Sequence, residues 1–98
     1  MNVVNHGDEV VLVVVGEIDA AATGGLEAGL LQAEASDASV ILVDLDQVDF
    51  MDAAALRVLA RHAAEERDRG RLRFTQGSAA VRRLISLAEG FPSRALGC

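Results

Sequence analysis

Two short apolar runs rich in β-branched residues place the tightest limit on how this chain can fold. The runs are VVLVVV at 10–15 and VILVDL at 40–45. Neither run alternates with polar residues, so each predicts a strand that is covered on both faces. The segment between them has helical spacing, and two buried strands joined by a helix predict a parallel pair with a right-handed crossover.

The rest of the chain extends this unit with further strands and helices. A short strand at 3–4 and a turn at 5–8 precede the first run, and another strand is predicted at 71–75. Three residues are predicted to be helix N-caps: Thr23, Asp52 and Ser78. The residues whose helical spacing predicts a buried position are Leu26, Leu30, Ala33, Leu56, Leu59, Ala60, Ala63, Val81, Leu84, Ile85 and Ala88. The predicted order is β-β-α-β-α-β-α, an α/β domain with a four-stranded sheet.

The composition favours one domain over 1–98, in which we expect 90–98 to be a flexible C-terminal tail. Hydrophobic residues make up 51% of the chain, and only three are aromatic, so the core is predicted to be aliphatic. No apolar run reaches the roughly 18 residues of a membrane helix, and no basic segment precedes 10–15 as in a signal peptide. Cys98 is the only cysteine, so we expect no internal disulfide and a cytoplasmic protein.

Charge is divided unevenly along the chain. Residues 1–56 contain eleven acidic residues and no Lys or Arg, whereas 57–98 contain nine arginines and four acidic residues. The net charge of −6 argues against a nucleic-acid partner, because binding phosphates requires clustered cations. The arginines are interleaved with Glu and Asp, so a protein partner suits this dipolar chain better.

Carboxylates follow the two apolar runs, at the edge of a parallel sheet where ligands commonly bind. They are Glu17, Asp19, Asp44, Asp46, Asp49 and Asp52. A Mg²⁺ site with an aspartyl phosphate would also need a neutralising lysine, and the chain has no lysine. We therefore interpret these residues as solvated loop acids and helix caps, and predict no metal site.

The histidines and the remaining motifs give no support for catalysis. His6 falls in the predicted turn and His62 in the middle of the second helix, and both are predicted to lie on the surface. No nucleophile–base pair, HExxH pattern or Gly-rich phosphate loop is present. The sequence predicts a protein without a cofactor that is not an enzyme.

The segment VDFMDAAAL at 48–56 starts the second helix where such a domain could display a reactive group. The first backbone N–H groups of a helix are unpaired and carry positive charge, so a hydroxyl in the first turn would be a suitable phosphoacceptor. Ala53 and Ala54 occupy these positions instead. On local physics alone, the alanines only favour the helix.

Three segments match the pattern of a known family in the same order. VVVGEIDAAATGGLEAGL at 13–30 is similar to a strand–G-E-L/I-D–helix motif, and ILVDLDQVDFMDAAALRVL at 41–59 to a D-L-x-x-V-x-F-M-D-S-S-G-L motif. GRLRFTQGSAAVRRLISLAEG at 70–90 is similar to the last strand and helix of that family. The chain thus resembles the STAS family, the domain of sulfate transporters and anti-sigma factor antagonists. The resemblance implies a mixed sheet with helices mainly on one face.

The resemblance also implies a regulatory function in a bacterium. A family antagonist binds a histidine-kinase-like ATPase that acts as anti-sigma factor and serine kinase, and phosphorylation of the second serine in D-S-S-G-L dissociates it. The positions matching that motif, from aspartate to leucine, are Asp52, Ala53, Ala54, Ala55 and Leu56. Because Ala54 matches the phosphoacceptor, the resemblance implies an antagonist of sigma-factor control that phosphorylation cannot switch there.

We expect the partner to bind at this end of the domain. The residues predicted to contact it are Asp19, Thr23, Asp52, Ala53, Ala54, Ala55, Leu56 and Arg57. Two other functions remain open from the sequence. One is the STAS subunit of a lipid-transport ABC complex that docks on its ATPase subunit, and the other is a nucleotide-binding or scaffold STAS domain.

Overall fold

The computed structural model describes residues 1–87, which form four strands and three helices in the predicted order. These elements are β1 (Asn2–His6), β2 (Glu9–Ile18), α1 (Thr23–Glu34), β3 (Val40–Met51), α2 (Ala53–Glu65), β4 (Leu72–Phe74) and α3 (Ala79–Leu87). The predicted tail at 90–98, with Cys98, and the predicted core residue Ala88 lie outside the described residues.

The strands form a mixed sheet in the order β1-β2-β3-β4. β1 and β2 are an antiparallel hairpin, in which Gly7 has a φ of 63° that an L side chain rarely adopts. β2 pairs with β3 and β3 with β4 in parallel. The two parallel pairs need crossover connections, which α1 and α2 supply, so the predicted α/β architecture is confirmed.

Burial alternates along the central strands, so the helices lie mainly on one face of the sheet and leave the other open. Leu12 and Val14 of β2 are buried, whereas Val15 is 49% exposed. In β3, Ile41 is buried and its neighbour Val40 is 37% exposed. The prediction that both strands are covered on both faces is therefore wrong. Valine is favoured on either side of a pleated strand, so an unbroken apolar run does not show which side is open.

β2 and β3 are longer than the apolar runs that predicted them. β2 continues to Ile18 and β3 to Met51, with two shifts of register between them. The backbone N–H of Asp52 donates to the carbonyl oxygen of Ile18 at 3.2 Å. This hydrogen bond joins the end of β2 to the residue that follows β3. Only Asp52 consequently separates the end of β3 from the start of α2, at the carboxyl end of the sheet.

The turn before α1 is organised by Asp19. Its Oδ1 accepts hydrogen bonds from the backbone N–H groups of Ala21 and Ala22, at 3.1 and 3.3 Å. Thr23 is the first helical residue, and its Oγ1 donates to the carbonyl oxygen of Asp19 at 3.0 Å. The N-cap residue is Ala22, so the prediction that Thr23 caps α1 is wrong. Asp19 forms the turn that precedes the helix, and the Thr23 hydroxyl is directed back to this turn, so the helix begins at Thr23 itself.

α1 packs against β2 at Gly29. Its buried residues are Leu26, Leu30 and Ala33, as predicted. Gly29 faces Leu12 of β2, and a Cβ atom at position 29 would lie 2.9 Å from Leu12 Cδ1. Glycine at this position therefore allows the close approach, at a cost in intrinsic helix stability of roughly 1 kcal/mol relative to alanine.

α2 and α3 pack on the same core with most of the predicted residues. Leu56, Leu59 and Ala63 are buried as predicted, whereas Ala60 is only half-buried. Val81 of α3 is fully buried, and Leu84 and Ile85 are half-buried against the core. The outward positions predicted on and just after α2 are exposed: Arg57, Arg61, Glu65 and Arg67.

Candidate functional site

Asp52 caps the N-terminal end of α2, as predicted. Its backbone is extended, and its Oδ1 accepts a hydrogen bond from the backbone N–H of Ala55 at 2.9 Å. The carboxylate thereby satisfies one of the donors that a helix leaves unpaired and adds negative charge at the positive end of the helix. Ser78 caps α3 in the same way, because its Oγ accepts from the backbone N–H of Val81 at 3.3 Å.

The three alanines after Asp52 have different environments. Ala53 is exposed, Ala54 is half-buried and Ala55 is fully buried. Leu56, the last residue of the motif, is also in the core. Ala55 and Leu56 therefore hold the start of α2 against the sheet, while Ala53 and Ala54 form the part that is open to a ligand.

A shallow groove of about 560 Å³ lies between α1 and α2, and we call it the α1–α2 groove. The residues that line it are Thr23, Ala54, Arg57, Val58, Ala60 and Arg61. The structure thus brings together three of the predicted partner-binding residues, Thr23, Ala54 and Arg57. Asp19 and Asp52 lie at the same end of the domain but do not line the groove.

Phe50 adds an aromatic side chain to this end of the sheet. It is 50% exposed, stands two residues before Asp52 and pairs in the sheet with Glu17. Partly exposed aromatic side chains are typical anchors of protein interfaces. Phe50 was not among the predicted contact residues, because the strand was predicted to end at residue 45.

The acids near the strand ends are used in local hydrogen bonds. Asp44 Oδ1 accepts from the backbone N–H of Asp46 at 3.0 Å, and Asp46 Oδ1 accepts from that of Gly77 at 3.1 Å. Among residues 1–87, no group of three His, Cys, Asp or Glu side chains is arranged to hold a metal ion. Asp52 is a helix cap as interpreted, but Glu17 lies within β2 and Asp44, Asp46 and Asp49 lie within β3, so the interpretation of these four residues as loop acids is wrong.

A polar cluster that was not predicted from the sequence lies at the other end of α2. His62 is only 2% exposed, so the prediction that it lies on the surface is wrong. Its Nδ1 lies 2.6 Å from Glu34 Oε2, and its Nε2 lies 2.8 Å from Glu27 Oε2. Both carboxylates come from α1, which packs over His62 and excludes water from it. We call His62, Glu27, Glu34 and Arg61 the histidine cluster.

Arg61 connects this cluster to the α1–α2 groove. Its Nη2 donates to both carboxylate oxygens of Glu27, at 2.5 and 2.6 Å. Its Nε also lies 3.7 Å from Glu65 Oε1, one helical turn further along. Glu27 therefore binds His62 on one side and Arg61 on the other, and Arg61 lines the groove.

The two carboxylates determine the charge of His62. Burial alone would lower the pKa of the imidazole, but hydrogen bonds and charge attraction from Glu34 and Glu27 outweigh it and raise the pKa above its ordinary value. The hydrogen bond from His62 in turn lowers the pKa of Glu27, against a smaller opposing effect of burial. The last turn of a helix also favours a cation, because the helix dipole is negative there.

Arg71, which precedes β4, fixes the chain that leaves α1. Its guanidinium donates to the carbonyl oxygens of Glu34, Ser36 and Ala38 at 2.8, 2.9 and 3.1 Å. It also pairs with the buried carboxylate of Glu66 at 3.2 Å. The carbonyl groups at the end of α1 are thus bound by the guanidinium of a residue that follows α2 in the chain.

The spacing of the polar residues is the only feature of the sequence that could have indicated the cluster. Glu27 and Glu34 are two helical turns apart and therefore lie on one side of α1. His62 follows Leu59 by three residues and so shares the buried side of α2. Such polar residues usually lie on the surface of a protein. Here they lie between the helices because the three side chains neutralise and hydrogen-bond one another.

Comparison with known proteins identifies the family. The STAS domain model matches residues 1–93, and the chain therefore belongs to the STAS family. The crystal structure of an anti-sigma factor antagonist from Mycobacterium paratuberculosis is similar, with a TM-score of 0.79 and 27% sequence identity. The similarity covers 88% of this chain and 74% of that one. Comparison with curated proteins gives no match. Within residues 1–87, no helix has both the length and the apolar character to cross a membrane.

Proposed function

We propose that this chain is a cytoplasmic anti-sigma factor antagonist of a bacterium that binds a histidine-kinase-like anti-sigma factor through the N-terminal end of α2. Binding of that partner would free its sigma factor and so regulate transcription. The observation that carries the proposal is the methyl group of Ala54, which lines the α1–α2 groove at the position of the motif's phosphoacceptor serine. Membership of the STAS family and the similarity to a solved antagonist support this kind of function.

The chemistry of the surface suits a protein partner. Ala53 and Ala54 carry only methyl groups, so a partner can come close to the backbone of the first turn. Arg57 is exposed and belongs to none of the ion pairs found among residues 1–87, so it is available for a carboxylate of the partner. Phe50 supplies an apolar contact at the same end of the domain.

The same surface has no hydroxyl group where the motif would be phosphorylated. A phosphate at position 54 would add nearly two negative charges beside the capping carboxylate of Asp52. With alanine there, the surface keeps a charge similar to that of an unphosphorylated antagonist. The hydroxyl that does line the groove belongs to Thr23, and it donates to the carbonyl oxygen of Asp19. We propose that control of this antagonist is exerted by another signal or by its abundance.

Partner capture with a matched pair of variants tests the proposal. The wild-type chain is used to capture its partner from native lysate, and affinities are then measured for Ala54→Glu and Ala64→Glu. Ala64 is an exposed residue near the C-terminal end of the same helix, so both variants make the same substitution on α2. We expect Ala54→Glu to weaken binding by about tenfold or more, because a bulky charge enters the contact, and Ala64→Glu to leave it nearly unchanged.

Three outcomes would contradict the proposal. If Ala54→Glu bound the partner as tightly as the wild-type chain does, the interface would have to lie away from the start of α2. Capture of an ABC-transporter ATPase instead of an anti-sigma factor would favour the lipid-transport function. Phosphate incorporation at Thr23 of the wild-type chain, after incubation with the partner and ATP, would show that this surface is still switched by a kinase.

A further inference from the structure

The histidine cluster joins the two helices that form the α1–α2 groove, and it is the best-defined polar feature of the described chain that the proposed function does not use. His62 is buried between two carboxylates of α1, one at each ring nitrogen. Arg61, the residue before it, lines the groove and is bound to one of those carboxylates. A change at His62 therefore has a direct route of contacts to the groove.

The contacts of His62 require two ring protons. Carboxylate oxygens only accept hydrogen bonds, so both Nδ1 and Nε2 must donate, and only the imidazolium form has two N–H groups. A neutral ring would keep one N–H donor, and the lone pair of its other nitrogen would face the second carboxylate. One of the two hydrogen bonds would then be replaced by repulsion between two acceptors.

The two carboxylates differ in their freedom to move away. The Glu27 side chain is 34% exposed, whereas that of Glu34 is 16% exposed. Arg71 also binds the backbone carbonyl of Glu34 and holds the end of α1 in place. Glu27 is thus the residue that can turn towards solvent, and Arg61 is bound to it through two hydrogen bonds.

We propose that His62 is a proton-sensitive switch: its imidazolium form ties α1 to α2, and loss of one proton releases Glu27 and, with it, Arg61 at the α1–α2 groove. The charged groups that contact the ring are Glu27 and Glu34 of α1. Arg61 and Glu65 of α2 are linked to it through Glu27, and the pair of Glu66 and Arg71 is linked to it through the backbone carbonyl of Glu34. The inference concerns the chain by itself and holds whether or not the proposed partner is correct.

The switch also links the charge of His62 to the stability of the fold. The pKa of His62 in the folded protein is raised above the unfolded value of about 6.5. Its contribution to the free energy of unfolding is therefore complete below about pH 6.5 and is lost as the pH rises through the folded pKa. The free energy of unfolding of the wild-type chain should therefore decrease over this pH range. A variant without His62 should lack this contribution.

Nuclear magnetic resonance on a chain with a single histidine tests the switch. His6→Gln removes the exposed histidine of the hairpin, so that only the ring of His62 is followed from about pH 5 to about pH 9. We expect both ring N–H groups to persist above about pH 6.5. The Nε–H of Arg61 and the backbone N–H groups of Thr23 and Arg57 should shift with the same midpoint as the ring.

Two further variants separate the switch from a general effect of pH. Glu34→Gln removes one carboxylate from His62 and should lower the midpoint of the ring and of the groove signals together. Glu65→Gln makes the same change at an exposed partner of Arg61 that does not contact His62, and it should leave the ring midpoint unchanged. A ring midpoint at or below about 6.5 in the His6→Gln chain, or groove signals that do not follow the ring, would overturn the proposal.

Discussion

The two ends of α2 are held in place by different kinds of contact. At the N-terminal end, the Asp52 side chain bonds the backbone N–H of a residue three positions later. At the C-terminal end, His62 bonds two carboxylates that are 28 and 35 residues away in sequence. The first end presents small side chains to solvent, and the second buries a charged group between two helices.

This difference distinguishes contacts that form within one helix from contacts that depend on a neighbouring helix. The N-terminal cap needs only an acidic side chain with extended backbone, and it would form in any helix with this sequence. The histidine cluster exists only when α1 packs on α2. The structure of the N-terminal end of α2, which carries the family motif, is therefore determined by the local sequence. The structure of the C-terminal end depends on how α1 packs against α2.

Replacement of His62 should give the largest effect. His62→Ala leaves the Glu34 carboxylate without the cation that it contacts, while Arg61 still pairs with Glu27, and removing one partner of a buried ion pair costs roughly 3 kcal/mol or more. We expect the free energy of unfolding, measured by urea denaturation, to fall by about that amount. The matched control is His6→Ala at the exposed end of β1, which should change it by less than about 0.5 kcal/mol. Equal effects of the two variants would mean that the cluster does not hold the helices together.

Removal of the cap should give an intermediate effect. Asp52→Ala leaves the backbone N–H of Ala55 without its acceptor, and loss of such a cap costs about 1 kcal/mol. Asp52→Asn keeps an acceptor oxygen and is the control, with an expected loss well below that of the alanine variant. Thermal denaturation of the three chains measures both values. If alanine and asparagine were equally stable, the capping bond would be irrelevant to the start of α2.

Restoring a serine at position 54 should have the smallest effect on the fold. Ala54→Ser places a hydroxyl at a half-buried position of the first turn, so the free energy of unfolding should change by less than about 0.5 kcal/mol. Under the proposed function, this serine should accept phosphate from the partner kinase and then bind the partner more weakly. Mass spectrometry after incubation with the partner and ATP measures the first step. A serine that remained unmodified would argue against a kinase as the partner.

The same contrast explains how much of the molecule could be predicted from its sequence. The order of elements follows from two apolar runs and three helical patterns, and the cap at Asp52 follows from a local preference of carboxylates for helix starts. His62 could not be placed, because its burial depends on Glu27 and Glu34 in a separate helix. The spacing from Leu59 places His62 on the inward side of α2, but nothing in α2 itself shows that the ring has the partners that its burial requires.

The open face of the sheet escaped prediction for a related reason. The runs at 10–15 and 40–45 are apolar on both sides of the strand, which is typical of a sheet covered by helices on both faces. The structure places the helices mainly on one face and leaves Val15 and Val40 partly exposed on the other. Which side a helix covers depends on the handedness and length of its connections, and side-chain composition carries little information about either.

The poor intrinsic helicity of α1 has a consequence for local opening of the fold. α1 is a helix of 12 residues with no side-chain cap and with glycines at 24, 25 and 29. An isolated helix of this length is marginal in water even with a favourable sequence, so α1 is helical because β2, α2 and Arg71 hold it. A segment of this kind exchanges its amide protons through a local fluctuation of lower free energy than global unfolding. Such a fluctuation would remove Thr23 from the groove and both carboxylates from His62 in one cooperative step.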